Sequence, residues 1–123
     1  MVLKNVWVHD FGKFKMVLDE SDVDISKQVK ESGWYYDDKF VSKVFDAHVK
    51  PDMTVLDLGA NIGFYTILAR SVVGQEGRVF AFEPFPDNAD LVRASVKENS
   101  FTNVIVVEAA VSDKVGMTTL YLS

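Results

Sequence analysis

The sequence predicts an α/β fold, with a parallel sheet wound by crossover helices behind an antiparallel hairpin. Three observations predict it. Two β-rich runs flank a turn near the start of the chain. From Pro51 onward, apolar runs, glycine turns and helix-periodic segments follow one another as strand, turn, helix, strand. The length of 123 residues, 48% hydrophobic and 25% charged, suits one soluble domain with one core. The expected organisation is a single domain over residues 1–123, with 1–32 as hairpin and lead-in and 33–123 as the α/β part.

The hairpin is read from Val6-Trp7-Val8-His9 and Lys15-Met16-Val17-Leu18 on either side of a turn centred on Asp10 to Gly12. Asp19 to Asp24 is acidic and polar, a solvated loop, and Ser26 to Ser32 is a short helix that stops at Gly33. The aromatic cluster Trp34-Tyr35-Tyr36 is most simply packing. Asp37 and Asp38 then open a helix with Phe40, Val41, Val44, Phe45 and Val49 on one face, ending before Pro51. Met53 to Leu58 is nearly all apolar, as in a strand covered on both faces. Ile62 to Val73 reads as a helix with Ile62, Tyr65, Leu68, Ala69 and Val72 on one side. Gly74 and Gly77 bracket a turn, and Arg78 to Phe82 is the second strand. Pro86 opens a helix running to about Asn99, with Asp87 and Asp90 where the helix dipole favours negative charge. Asn103 to Ala110 is the third strand, and the alternation Met117-Thr118-Thr119-Leu120-Tyr121-Leu122 predicts a strand returning antiparallel.

Composition excludes several functions. Lys and Arg number 13 against 18 Asp and Glu, a net charge of −5, so no general attraction to nucleic acid or anionic lipid is expected. The absence of cysteine removes disulfides, thiolate zinc sites and thiol nucleophiles, and suits a reducing compartment; a cytoplasmic location is expected. No apolar run approaches the ~20 residues of a membrane span, and the start is too broken for a secretory signal. His9 and His48 are isolated, so no metal site is expected, and His48 falls where a helix end favours a cation. Ser42, Ser71 and Ser112 have no histidine at a suggestive spacing, which removes serine hydrolase chemistry.

The chemistry-bearing stretch is Asp57-Leu58-Gly59-Ala60-Asn61-Ile62-Gly63. A buried strand runs into a glycine-rich turn and a helix, which brings backbone N–H groups near a ligand at the strand's carboxyl end. Gly59 and Gly63 let the backbone approach closely. Asn61 stands where a dinucleotide fingerprint has its second glycine, and asparagine tolerates the left-handed conformation. Asp57, a carboxylate ending an apolar strand, needs a polar partner or pocket. Glu83 ends the next strand 20 residues beyond Gly63, the separation at which doubly wound folds set an acid against a ribose.

At these residues the sequence resembles the S-adenosylmethionine-dependent methyltransferases with a Rossmann-like domain, and more narrowly those of the FkbM type. The resemblance rests on Val55 through Tyr65, on Val79-Phe80-Ala81-Phe82-Glu83-Pro84 with Pro86-Asp87-Asn88, and on Ala109-Ala110-Val111-Ser112-Asp113; it covers about residues 33–122. It implies an incomplete Rossmann-like methyltransferase fold, since complete members continue into a further strand and this chain stops at Ser123. It implies S-adenosyl-L-methionine as cofactor and O-methyl transfer to a small-molecule or glycan hydroxyl. Gly59, Ala60, Asn61 and Gly63 would wrap the methionine part with Asp57 near its ammonium, and Phe64 and Tyr65 of the same motif are counted with them. Glu83 would take the ribose hydroxyls, Pro84, Phe85 and Ala110 would flank the adenine, and Tyr36 would close over the cofactor. No catalytic residue is assigned.

The fourth strand of that fold pairs with the first. The edge of Thr54 to Leu58 is therefore expected to recruit a second copy, giving a homo-oligomer, or to be covered by the hairpin. Two other functions stay open. A nicotinamide-binding oxidoreductase needs a pyrophosphate seat, where Asn61 departs from the pattern. A catalytically incomplete binding or oligomerisation module is the second.

Overall fold

The computed structural model describes residues 3–32 and 39–122. Strands β1 (Val6–Asp10) and β2 (Lys15–Asp19) pair antiparallel from Val6 opposite Asp19 to Asp10 opposite Lys15. Their turn is closed by Phe11 N–H donating to Phe14 O at 2.9 Å, with Gly12 at φ 91° and its N–H on Asp10 Oδ1. Helix α1 (Ile25–Ser32) follows the acidic loop, whose Asp22 carboxylate accepts from the backbone N–H groups of Asp24 and Ser26. Helix α2 (Lys39–His48) ends as predicted, with His48 Nδ1 2.8 Å from Val44 O. Phe45 and Val49 pack inward, whereas Val41 and Val44 are exposed.

The remaining elements are β3 (Thr54–Leu58), α3 (Phe64–Val73), β4 (Arg78–Phe82), α4 (Pro86–Glu98) and β5 (Val104–Val107). The three strands form a parallel sheet in the order β3-β4-β5, with Leu58 opposite Phe82 and Phe82 opposite Val107 at their carboxyl ends. Both α3 and α4 pack on this sheet, burying Ala69, Val73 and Val79 in one cluster and Ala60, Ala81 and Val92 in another. The hairpin lies over the helices as an outer layer. Its Phe14, Met16, Val17 and Leu18 pack with Val29, Ile62, Phe64, Ile67 and Leu91. Side chains of α4 and of the residue that caps it serve as its partner strand: Asn99 exchanges hydrogen bonds with Lys15 N–H and C=O, and Ser95 Oγ accepts from Val17 N–H at 2.9 Å.

Six expectations are corrected by this arrangement. Helix α3 starts at Phe64 rather than Ile62, because Gly63 at φ 96° turns the chain left-handed. It is buried on two sides, through Phe64, Thr66, Ile67, Ala69 and Val73, since the hairpin covers the face turned away from the sheet. Strand β3 is not covered on both faces: Leu56 is 61% and Leu58 58% exposed, because they point away from α3. The hairpin does not cover the β3 edge, which carries no strand partner among the described residues. Strand β5 stops at Val107 instead of Ala110, and Met117 to Leu122 forms no strand. Alternation alone makes no strand without a ladder to join, and there Met117 is 100% and Tyr121 87% exposed. Among the described residues, no helix is long and apolar enough to cross a membrane.

Candidate functional site

The site lies at the carboxyl ends of β3 and β4. Gly59, Asn61 and Gly63 all take positive φ, at 80°, 54° and 96°, so the loop coils tightly between β3 and α3. Gly63 has a second reason to be glycine: a Cβ there would meet Val92 Cγ2 of α4 at 3.0 Å. Four of the loop's backbone donors are spent internally. Gly59 and Ala60 N–H donate to Phe82 O at 2.9 and 3.0 Å, and Gly63 N–H donates to Ala60 O at 2.9 Å. Asn61 N–H donates to Glu83 Oε2 at 2.7 Å. These four N–H groups, expected near a ligand, are engaged within the chain and hold the loop in a fixed shape.

Glu83 is 6% exposed and ties two loops together. Its Oε1 accepts from Phe85 N–H at 2.9 Å while Oε2 holds Asn61. Asn88, in the first turn of α4, adds a 3.2 Å bond from Nδ2 to Asn61 Oδ1. Its place in the Pro86-Asp87-Asn88 run marked it as part of the motif, yet sequence gave no sign that it reaches Asn61. Each carboxylate oxygen has two lone pairs, so each Glu83 oxygen can accept once more.

Asp57 is half-buried and accepts from Thr66 Oγ1 through Oδ2 at 2.6 Å. Burial pushes its carboxyl above the ordinary carboxylate range; the Thr66 bond works against that, and the negative charge of Glu83 adds to it. Thr66 was not singled out from sequence. Two carboxylates thus stand beside a loop with four backbone donors already engaged, which makes this end of the sheet rich in acceptors.

A cleft of about 350 Å³ opens at the carboxyl ends of the strands, lined by Leu58, Gly59, Phe82, Pro84, Ala109, Ala110 and Val111, the immediate chain neighbours of Asp57 and Glu83 among them. It gathers Gly59, Pro84 and Ala110 from three separate strand ends, as the motif spacing requires. Phe85 precedes α4 in extended conformation. Phe64 goes elsewhere: its ring is buried edge-on to Phe11 and Phe14 of the hairpin, at 5.8 and 6.1 Å, so its place in the motif reflects packing. Tyr65 packs against the Phe45 ring of α2 at 5.7 Å. Tyr36 lies outside the described residues.

The FkbM methyltransferase domain model matches residues 57–123, more than half of the chain. The chain belongs to this family. The match begins at Asp57 and takes in the glycine loop, Glu83 and the cleft. Beyond the family, the chain is 36% identical over 76 residues to protein-L-isoaspartate O-methyltransferase 1 of Arabidopsis thaliana, covering 60% of this chain and 32% of that protein. It is also 36% identical over 59 residues to ribosomal RNA large subunit methyltransferase E of Stutzerimonas stutzeri, covering 45% of this chain and 29% of the relative. This FkbM chain thus spans about a third of the length of those relatives. A solved structure of a SAM dependent methyltransferase from Aquifex aeolicus superposes with a TM-score of 0.53 at 28% identity, over 71% of this chain and 43% of that one. The Rossmann-like methyltransferase fold is the common ground.

Proposed function

We propose that this FkbM chain binds S-adenosyl-L-methionine at the carboxyl ends of β3 and β4 and forms the donor side of a methyltransferase. One observation carries the reading: the loop N–H groups of Gly59, Ala60, Asn61 and Gly63 are spent inside the protein while Asp57 and Glu83 offer negative charge. A dinucleotide pyrophosphate needs free donors at that loop. A cationic ligand with an ammonium, a sulfonium and a ribose diol needs acceptors. When bound, S-adenosylmethionine supplies a methyl carbon made electrophilic by its positively charged sulfur. Asp57 would meet the ammonium, the spare lone pairs of Glu83 would take the two ribose hydroxyls, and Pro84 and Ala110 would bound the adenine. The residues' contribution is alignment and charge, which is most of what a displacement at carbon requires.

O-methyl transfer to a small-molecule or glycan hydroxyl is the finer part of the proposal and rests on the family resemblance. The relatives named for a protein and for a ribosomal RNA resemble this chain over 76 and 59 residues, which supports an acceptor chosen by other parts of such enzymes. The packing of the hairpin on α4 supports residues 1–123 acting as one domain. Self-association through the outer edge of β3 is supported by exposed Leu56 and Leu58 beside it, and a monomer in sedimentation would remove it.

Titration calorimetry with S-adenosylmethionine, S-adenosylhomocysteine and NAD tests the reading. Heat with the first two is expected, and heat with NAD alone would overturn it. Glu83→Ala should weaken binding by roughly 1–3 kcal/mol, because a hydrogen-bonded charge is lost and two loop N–H groups lose their acceptor.

A further inference from the structure

Thr66 sits on the first turn of α3, nine residues past Asp57, with its side chain fully buried at 0% exposure. A threonine hydroxyl in a helix commonly bonds back to the preceding turn. Here its single hydrogen goes to Asp57 Oδ2 at 2.6 Å, a short charge-assisted contact across from helix to strand. The β-branched side chain has little rotamer freedom in a helix, so the hydroxyl is a fixed donor.

We propose that Thr66 is a positioning residue for the cationic ligand, holding the Asp57 carboxylate through Oδ2 and leaving Oδ1 to receive the ligand's positive group. The inference rests on the donor-binding reading above. It also sets Thr66 against the influences that favour a proton on the acid. Burial and the field of Glu83 at the tip of β4 both favour the protonated form, and the Thr66 bond favours the ionised one. Among the described residues, the arginines on the two elements that flank β3 are occupied elsewhere. Arg78 pairs in register with Thr54, and Arg70 is engaged with Asn103 and the Phe101 ring.

The test is a crossed pair of substitutions. Thr66→Val keeps the volume and removes the hydroxyl; Thr66→Ser keeps the hydroxyl and removes a methyl group. The Asp57 carboxyl titration is followed by NMR in ligand-free protein, and S-adenosylmethionine affinity is measured by calorimetry over a pH series. Thr66→Val is expected to raise the Asp57 midpoint and to weaken binding roughly tenfold, more so as pH falls, while Thr66→Ser stays near the parent in both. Equal losses in the two variants, or a parent-like midpoint and affinity in Thr66→Val, would overturn the proposal. A shifted midpoint in a protein that takes up no S-adenosylmethionine would overturn the donor-binding reading and leave the coupling of Thr66 to Asp57 supported.

Discussion

At the amino ends of the parallel strands, Asn103 closes the structure. Its Nδ2 donates to Gly74 O at 2.8 Å and Gly77 O at 2.7 Å, and its Oδ1 accepts from Arg70 Nε. At the carboxyl ends, Glu83 does a parallel task by accepting from Asn61 and Phe85. One clasp is neutral and has both its donor and its acceptor atoms engaged within the chain. The other is charged, has lone pairs to spare and sits between two residues, Phe82 and Pro84, that line a cleft. The contrast teaches that the same device, one side chain bridging two loops, makes a lock when saturated and a binding group when it is not.

Three substitutions sharpen or break that contrast. Gly77→Ala should have the largest effect, because a Cβ there would lie 2.5 Å from Val73 Cβ and 2.7 Å from Met53 O. Denaturant unfolding is expected to lose about 3 kcal/mol, with the folded fraction binding S-adenosylmethionine as before. An unaltered midpoint would mean that the amino end is slack rather than locked. Asn103→Ala comes next, at about 2 kcal/mol of stability, since two carbonyls and the Arg70 guanidinium lose a partner. Its affinity for the donor should also match the parent, and a weakened affinity would erase the division of labour between the two ends.

Asp57→Asn should have the smallest effect on stability and the opposite sign. The folded protein holds a proton on Asp57 more tightly than the unfolded chain does, so stability falls as pH rises from the ordinary carboxyl range through the raised value. Removing the charge should flatten that slope and raise stability at neutral pH, while donor binding weakens. Thermal melts across a pH series check this, and an unchanged profile would show that Asp57 carries no strain.

Much of this was readable in the chain because its punctuation is strong. Gly77 and Glu83 bracket β4 and Pro86 opens α4, so both elements fall where they were expected. The glycine loop and Glu83 were found by spacing alone, since topology fixes how far apart two adjacent parallel strand ends lie in sequence. What failed depends on contacts distant in sequence. Val17 meets Ser95 across 78 positions, and only that docking explains why Phe64 and Ile67 are buried away from the sheet. Leu56 and Leu58 read as core because apolarity does not say which face a neighbour covers. Thr66 was invisible because a buried threonine in a helix looks like any small packing residue until its hydroxyl has a partner.

The way Asn99 and Ser95 meet the hairpin has a consequence for the ribbon's chemistry in water. Lys15 and Val17 sit along the margin where a two-stranded ribbon would otherwise welcome a foreign chain, yet their main-chain groups are capped by a helix. Their amide protons should swap slowly with deuterium, Val17 above all, as if each lay in the middle of a wide sheet. Sealed on that side, the ribbon offers aggregating segments nothing to zip onto there.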